Sequence, residues 1–303
     1  MRHPKQLAGV LSVFQTPFND DDSIDVATFE KHVEWIHEQG ADGIVMAMVS
    51  ETLRLGSEER EQLATLACKF GRDHGPVIIS TGAESTAVAV RYSKHAEANG
   101  AAGVMVIPPV STSVTEDELQ KYYEQIIRAV KIPVVVQDAS GYVGRPMSIS
   151  LQAKLLLEYG DQVMYKPEAT PIGPKLSQLR DATQGRAKVF EGTGGIALVD
   201  SYRRGVVGTM PGGDLPWALV ALWNALKAGD ERRIYQLSQP ISAMIAMQTS
   251  LDVFLAVEKY LLVKQGVFKS ARVRGPVGYK LDEESRKEID RLFDRIKEAV
   301  GAR

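Results

Sequence analysis

A single cysteine, Cys68, occurs among 303 residues, so no intrachain disulfide can form and no multi-cysteine metal site can be built. It lies in the apolar helical stretch from Leu63 to Phe70, where a small core residue is expected rather than a reactive thiol. No apolar run reaches the ~18 residues that a membrane span requires. The N-terminal Met1-Arg2-His3-Pro4-Lys5 is weakly basic, but the apolar stretch behind it is broken by Gly9 and Ser12 and leads into Asn19-Asp20-Asp21-Asp22. That makes a poor secretory signal, and a soluble, cytoplasmic protein is expected. Charge of one sign is missing too: the formal net charge is −2, which leaves no electrostatic footprint for nucleic acid or an anionic membrane. Histidines are few, and His3, His32, His37, His74 and His95 fall in the N-terminal tail or in helical stretches, where solvated or helix-face positions are expected. Neither metal-ligand spacing nor a Ser-His-Asp arrangement appears, so no metal and no cofactor are expected.

What the chain does contain is a repeating alternation. Short apolar runs predict eight strands: Leu11–Gln15, Gly43–Ala47, Val77–Ser80, Gly103–Ile107, Val134–Gln137, Val163–Lys166, Ala187–Glu191 and Val206–Thr209. Between and after them, helical spacing predicts helices near 25–39, 57–73, 85–98, 115–130, 148–159, 172–184, 194–203 and 216–228. Asp25, Ser57, Ser85, Thr115 and Ser148 supply N-cap chemistry at five helix starts. Gly40, Gly75, Gly100, Gly160, Gly185 and Gly205 each follow a helix and precede a strand, where a left-handed residue turns the chain back to a sheet. Helix, glycine, short strand, recurring at this spacing through eight strand–helix units with no shift in composition, argues for a (β/α)₈ TIM barrel. The doubly wound alternative is weakened because no Gly-x-Gly-x-x-Gly follows the first strand. Residues 1–228 make the barrel in this reading. Residues 229–303 form a C-terminal helical extension, with helical spacing over Glu231–Met247, Asp252–Lys264 and Asp282–Val300.

Val163-Met164-Tyr165-Lys166-Pro167-Glu168 is the stretch that carries chemistry. The proline biases Lys166 toward extended backbone, which makes the lysine the last residue of the sixth strand. On that window alone it is either a snorkelling surface side chain or an amine held out of water. In a parallel barrel, however, the C-terminal strand ends build the active site. An amine partly desolvated there favours its neutral form, which condenses with a carbonyl to a Schiff base. Other strand ends offer small, hydroxyl and carboxylate residues. They are Val49-Ser50-Glu51 after the second, Gln137-Asp138 on the fifth, Glu191-Gly192 on the seventh and Gly208-Thr209 on the eighth.

This pattern resembles the dihydrodipicolinate synthase / N-acetylneuraminate lyase family over essentially the whole chain. The resemblance implies a barrel with helical extension, a homotetramer, a small 2-oxo acid substrate and a Schiff-base lysine at Lys166. The family's second-strand signature, Gly-x-Thr-Gly-Glu, appears here as Ala47-Met48-Val49-Ser50-Glu51, with the Glu kept and the hydroxyl moved to Ser50. Where synthases and lyases carry a proton-shuttling tyrosine on the fifth strand, this chain has Gln137-Asp138, with Tyr142 and Tyr165 the nearest phenols. Val136-Gln137-Asp138-Ala139, Ser50-Glu51 and Pro108-Pro109 are similar to the 2-keto-3-deoxy-L-arabonate dehydratase branch.

The resemblance and the residues together imply a lyase that dehydrates a 2-keto-3-deoxy sugar acid, with Lys166, Ser50 and Gln137 as catalytic candidates. Val49, Ser50, Glu51, Asp138, Glu168, Glu191, Gly192, Gly208 and Thr209 are the substrate-binding candidates. Glu168, Ser50, Glu51 and Asp138 compete for the acid and base roles. Glu51, Asp138 and Glu191 have an alternative as loop scaffolding, and Arg145 as a surface residue. An aldolase or synthase-like lyase using the same imine, and a keto-acid-binding barrel without turnover, remain the rival readings.

Overall fold

The computed structural model describes residues 7–141 and 143–301. Eight parallel strands run in the order β6-β5-β4-β3-β2-β1-β8-β7: β1 (Gly9–Val13), β2 (Gly43–Val45), β3 (Val77–Ser80), β4 (Gly103–Val106), β5 (Val134–Asp138), β6 (Val163–Pro167), β7 (Phe190–Glu191) and β8 (Gly208–Thr209). A parallel bridge between Tyr165 and Val189, with the Tyr165 amide donating to Lys188 O at 2.9 Å, brings the last edges together. The result is a nearly closed (β/α)₈ barrel. Eight helices alternate with the strands: α1 (Val26–Glu38), α2 (Ser57–Gly71), α3 (Thr86–Ala98), α4 (Glu116–Ala129), α5 (Ile149–Tyr159), α6 (Ile172–Ala182), α7 (Leu198–Arg203) and α8 (Pro216–Ala228). Then α9 (Glu231–Ala246), α10 (Leu251–Lys264) and α11 (Glu283–Val300) follow, α9 packing against α8 and α11. No helix of the described residues is long and apolar enough to cross a membrane.

Every residue of β1 to β6 is buried, as expected for strands covered on both faces. Alternation sorts them into two layers. Leu11, Val13, Val45, Ala47, Ile78, Met105, Val135, Met164, Phe190 and Met210 fill the barrel interior. Val10, Ile44, Val77, Val104, Val134, Val136, Val163 and Tyr165 pack outward against the helices. This phase decides which strand-end side chains can reach a ligand.

Several predicted boundaries shift for identifiable reasons. The first strand runs Gly9–Val13 rather than Leu11–Gln15, because the Gln15 amide turns to His32 Nε2 (3.4 Å) instead of a ladder partner. The seventh helix starts at Leu198 rather than 194, since Gly194 (φ +70°) and Gly195 (φ +107°) are left-handed and cannot be helical. Gly40 takes the expected left-handed turn (φ +90°), but Gly75 does not; it is small for packing, and a Cβ there would lie 3.0 Å from Gly43 Cα. Ser57 is the first residue of α2, behind an N-cap at Gly56, whereas Asp25, Thr115 and Ser148 cap with their side chains. Cys68 is buried as expected, and burial pushes its thiol up to about 12. His32 corrects the histidine expectation. It is wholly buried between α1 and the barrel, and desolvation drives its pKa down to about 3.

Candidate active site

Lys166 on β6 stands in register with Gln137 on β5. Both share the inward phase of Met164 and Val135, so the two side chains emerge together at the C-terminal mouth of the barrel. β6 runs one residue past the predicted end, through Pro167. The Lys166 side chain is only 4 % exposed, and its Nζ donates to Glu168 Oε1 at 2.7 Å. Glu168 Oε2 in turn accepts from Gln137 Nε2 at 2.6 Å, while Gln137 Oε1 is buried with no partner. Burial pushes the Glu168 carboxyl above its ordinary range; the Lys166 charge and the Gln137 amide pull it back only partly. The carboxyl therefore stands within proton-transfer distance of the amine; an amine adds to a carbonyl only through the lone pair of its uncharged form.

Gly192, after β7, closes over this pair. A Cβ at that position would lie 2.8 Å from both Lys166 Cε and Glu168 Oε1, so only glycine lets the loop pass. A small pocket of about 50 Å³ lies in front of the pair. Ala47, Met48 and Val49 wall it from the turn after β2, Met210 and Gly212 from the loop after β8, and α10 covers it with Leu251, Phe254 and Glu258.

The remaining sequence candidates separate by strand phase. Asp138 points out of the interior; its Oδ1 accepts from Ser140 N (3.1 Å) and its Oδ2 from Met147 N (2.9 Å), fastening the β5 loop. Glu191 and Thr209 are likewise out of phase with Phe190 and Met210, and Thr209 Oγ1 donates to Glu191 Oε2 at 2.7 Å, with Thr193 N on Oε1 at 2.6 Å. Gly208 lies at the β8–β1 pairing, where a Cβ would meet Gly9 N at 2.8 Å. The Ser50 hydroxyl donates to Phe14 O and accepts from Ala47 N at 3.1 Å, and Ser50 does not line the pocket. Glu51, left-handed at φ +59°, is buried against Lys259 of α10 and accepts from Arg274 N at 2.9 Å. Val49, Gln137, Lys166, Glu168 and Gly192 are therefore the candidates that reach the cavity.

Tyr165 faces α5, its hydroxyl donating to Gln152 O at 2.6 Å, so it cannot replace a phenol on the fifth strand. Arg145 is exposed, while Tyr142 and His3 lie outside the described residues.

Sequence reasoning missed Glu258 of α10. Phe254 is buried at the pocket, and Glu258 supplies the third ionisable group of the lining after Lys166 and Glu168. A signal existed: Leu251, Phe254 and Glu258 share one helix face at spacings of three and four, which sets a carboxyl among apolar residues.

Residues 6–296 match the family described as the Dihydrodipicolinate synthetase family. The chain is 28% identical over 296 residues to the L-2-keto-3-deoxyarabonate dehydratase of Azospirillum brasilense, covering 95% of this chain and 94% of that protein. It is 30% identical over 240 residues to the 4-hydroxy-tetrahydrodipicolinate synthase of Methanococcoides burtonii, covering 78% and 81%. Among solved structures, a dihydrodipicolinate synthase from Rhodopseudomonas palustris superposes with a TM-score of 0.87 at 29% identity, covering 96% of this chain and 98% of that one.

Proposed function

Because the chain belongs to the dihydrodipicolinate synthetase family of lyases, we propose that it is a Schiff-base dehydratase acting on a 2-keto-3-deoxy sugar acid. The observation that carries this reading is the buried line Lys166–Glu168–Gln137 at the pocket floor. An amide stands on the fifth strand, and an amide holds a hydroxyl but does not relay a proton. The proton chemistry at this end of the site therefore falls to Glu168.

The steps balance with that group alone at C2 and C3. Glu168 takes the ammonium proton of Lys166, and the free amine adds to the C2 carbonyl. Glu168 then returns the proton to the departing carbinolamine oxygen, so an iminium forms and water leaves. The carboxylate so regenerated removes a C3 proton, whose bond electrons flow to the iminium and give an enamine. The enamine expels the C4 oxygen, and hydrolysis of the resulting unsaturated iminium frees Lys166. Gln137 Oε1, buried and unpartnered, is an acceptor set for a substrate hydroxyl. The substrate carboxylate lies toward the Met48–Ser50 turn, and Val49 contributes that wall.

Product analysis tests the reading. With 2-keto-3-deoxy-L-arabonate and the corresponding hexonates as substrates, an uncleaved, dehydrated carbon skeleton is expected. Pyruvate plus an aldehyde would replace the reading with an aldolase, and tight binding without turnover would replace it with a keto-acid-binding barrel.

A further inference from the structure

We propose that Glu258, on the pocket roof and paired with Asp214, is the acid that protonates the departing C4 hydroxyl. The inference rests on the dehydratase reading above and assigns the half of the reaction that Lys166 and Glu168 leave open.

The geometry begins at Gly212, after β8. A Cβ there would lie 2.7 Å from Asp214 Oδ1 and 2.9 Å from Glu258 Cδ, with Glu258 Oε1 nearer still. Glycine at 212 is thus what lets two carboxyl groups, one from the β8–α8 loop and one from α10, crowd into the same space. Glu258 is 3 % and Asp214 4 % exposed. Glu258 Oε2 accepts from Gln15 Nε2 at 2.8 Å, and the same Nε2 is fixed by Val13 O (3.0 Å). Asp214 Oδ2 is buried with no partner. Among the described residues no cation bonds to this pair: the neighbouring Lys259, whose charge opposes the rise at Glu258, turns to Glu51 and to Arg272 O (2.6 Å), and Lys166 is engaged by Glu168.

Two buried carboxyls that close, without a cation between them, cannot both stay ionised. One proton is retained between them. Desolvation and the Asp214 charge raise Glu258 well above the ordinary carboxyl range, and burial lifts Asp214 to about 7. The pair therefore titrates as a unit and holds a proton near neutrality.

Only Glu258 of the two lines the pocket. It reaches the cavity from α10, whereas the amine that holds C2 stands on β6. A substrate bound at C2 by Lys166 and extending toward the roof brings its C4 oxygen to that carboxyl. In the step itself, the enamine electrons form the C3=C4 double bond, the C4–O bond breaks, and Glu258 gives its proton to the leaving oxygen, which departs as water. The carboxylate left behind recovers a proton from the water that hydrolyses the iminium. Asp214 never meets substrate. It is a positioning residue that keeps the proton on Glu258.

The test uses the full chain and separates imine formation from elimination. Glu258→Gln keeps the volume and a partner for Gln15. It should leave borohydride trapping of pyruvate at the wild-type rate while turnover of 2-keto-3-deoxy-L-arabonate falls at least ~100-fold, the scale of a general acid. Asp214→Asn removes the charge that holds the Glu258 proton, so the alkaline limb of the kcat–pH profile should move to lower pH. A merely structural role would lower activity without moving that limb. Wild-type turnover by Glu258→Gln, or an unmoved limb in Asp214→Asn, overturns the assignment and leaves the dehydratase reading standing. Wild-type protein that forms no imine removes both, and does so before Glu258 is altered.

Discussion

Adding one methyl group at Gly192 strikes the most crowded point of the site. The alanine Cβ would come within 2.8 Å of Lys166 Cε, 2.8 Å of Glu168 Oε1 and 2.9 Å of Glu168 Cγ. Carbon atoms in contact settle at about 3.5–4.0 Å, so the lysine stem or the loop must retreat by roughly 1 Å. Gly192 is not in the left-handed region, and alanine therefore brings no backbone strain; the whole effect is steric. Overpacking of this kind costs about 1–3 kcal/mol. A reacting group displaced by ~1 Å loses about a hundredfold in rate. The Lys166–Glu168 contact at 2.7 Å is broken by the same movement, which removes the proton acceptor along with the alignment. Borohydride trapping of pyruvate, followed by intact mass, reads the amine directly, and urea unfolding reads the stability. Gly192→Ala should trap at least ~100-fold more slowly while staying folded. Trapping at the wild-type rate would show that the amine is not confined as described, and the reasoning from Gly192 would fail.

Three further outcomes follow from the same contacts. Lys259→Met strands the buried Glu51 carboxylate with only the Arg274 amide, and should lower the unfolding free energy by about 3–5 kcal/mol in urea; Glu51→Gln in the same chain should recover most of it, and a single-variant loss under ~1 kcal/mol would contradict the pair's role. The Asp214–Glu258 pair, raised by burial and by mutual repulsion, gives stability that is full below the unfolded carboxyl pKa and lost as pH rises through neutrality. Unfolding midpoints measured from pH 5 to 8 should accordingly fall less in Asp214→Asn than in the wild type, and parallel curves would refute it. His32, lowered to about 3, acts at the other end: the unfolded chain takes up its proton below about 6.5, so stability is lost on acidification toward 3, and His32→Gln should flatten that acid limb.

The barrel was legible because its signals are local. Each strand is a short apolar run, most barrel helices end near a glycine, and eight repeats leave few ways to pack them. Lys166 was legible for the same reason, as a polar residue closing an apolar run ahead of a proline. What the sequence hid was phase. Strands buried on both faces read as continuous apolar runs, so Val134-Val135-Val136 gives no hint that Gln137 points inward and Asp138 outward. Glu191 and Thr209 went astray by the same one-residue ambiguity. Ser50 was misjudged because its hydroxyl is consumed by backbone groups, the local Ala47 N and Phe14 O, the second of which only the closed barrel brings near. Glu258 lay furthest from view: it is over ninety positions from Lys166, on a helix that Lys259–Glu51 and Asp252–Arg54 tie to the turn after β2.

The central claim is that one buried amine bonds to a keto carbon. Reducing the wild-type protein with borohydride in the presence of pyruvate, then mapping the peptides by mass, tests it most directly. The expected result is a single reduced adduct on Lys166. No adduct, or one on Lys259, the other buried lysine among the described residues, would contradict the account.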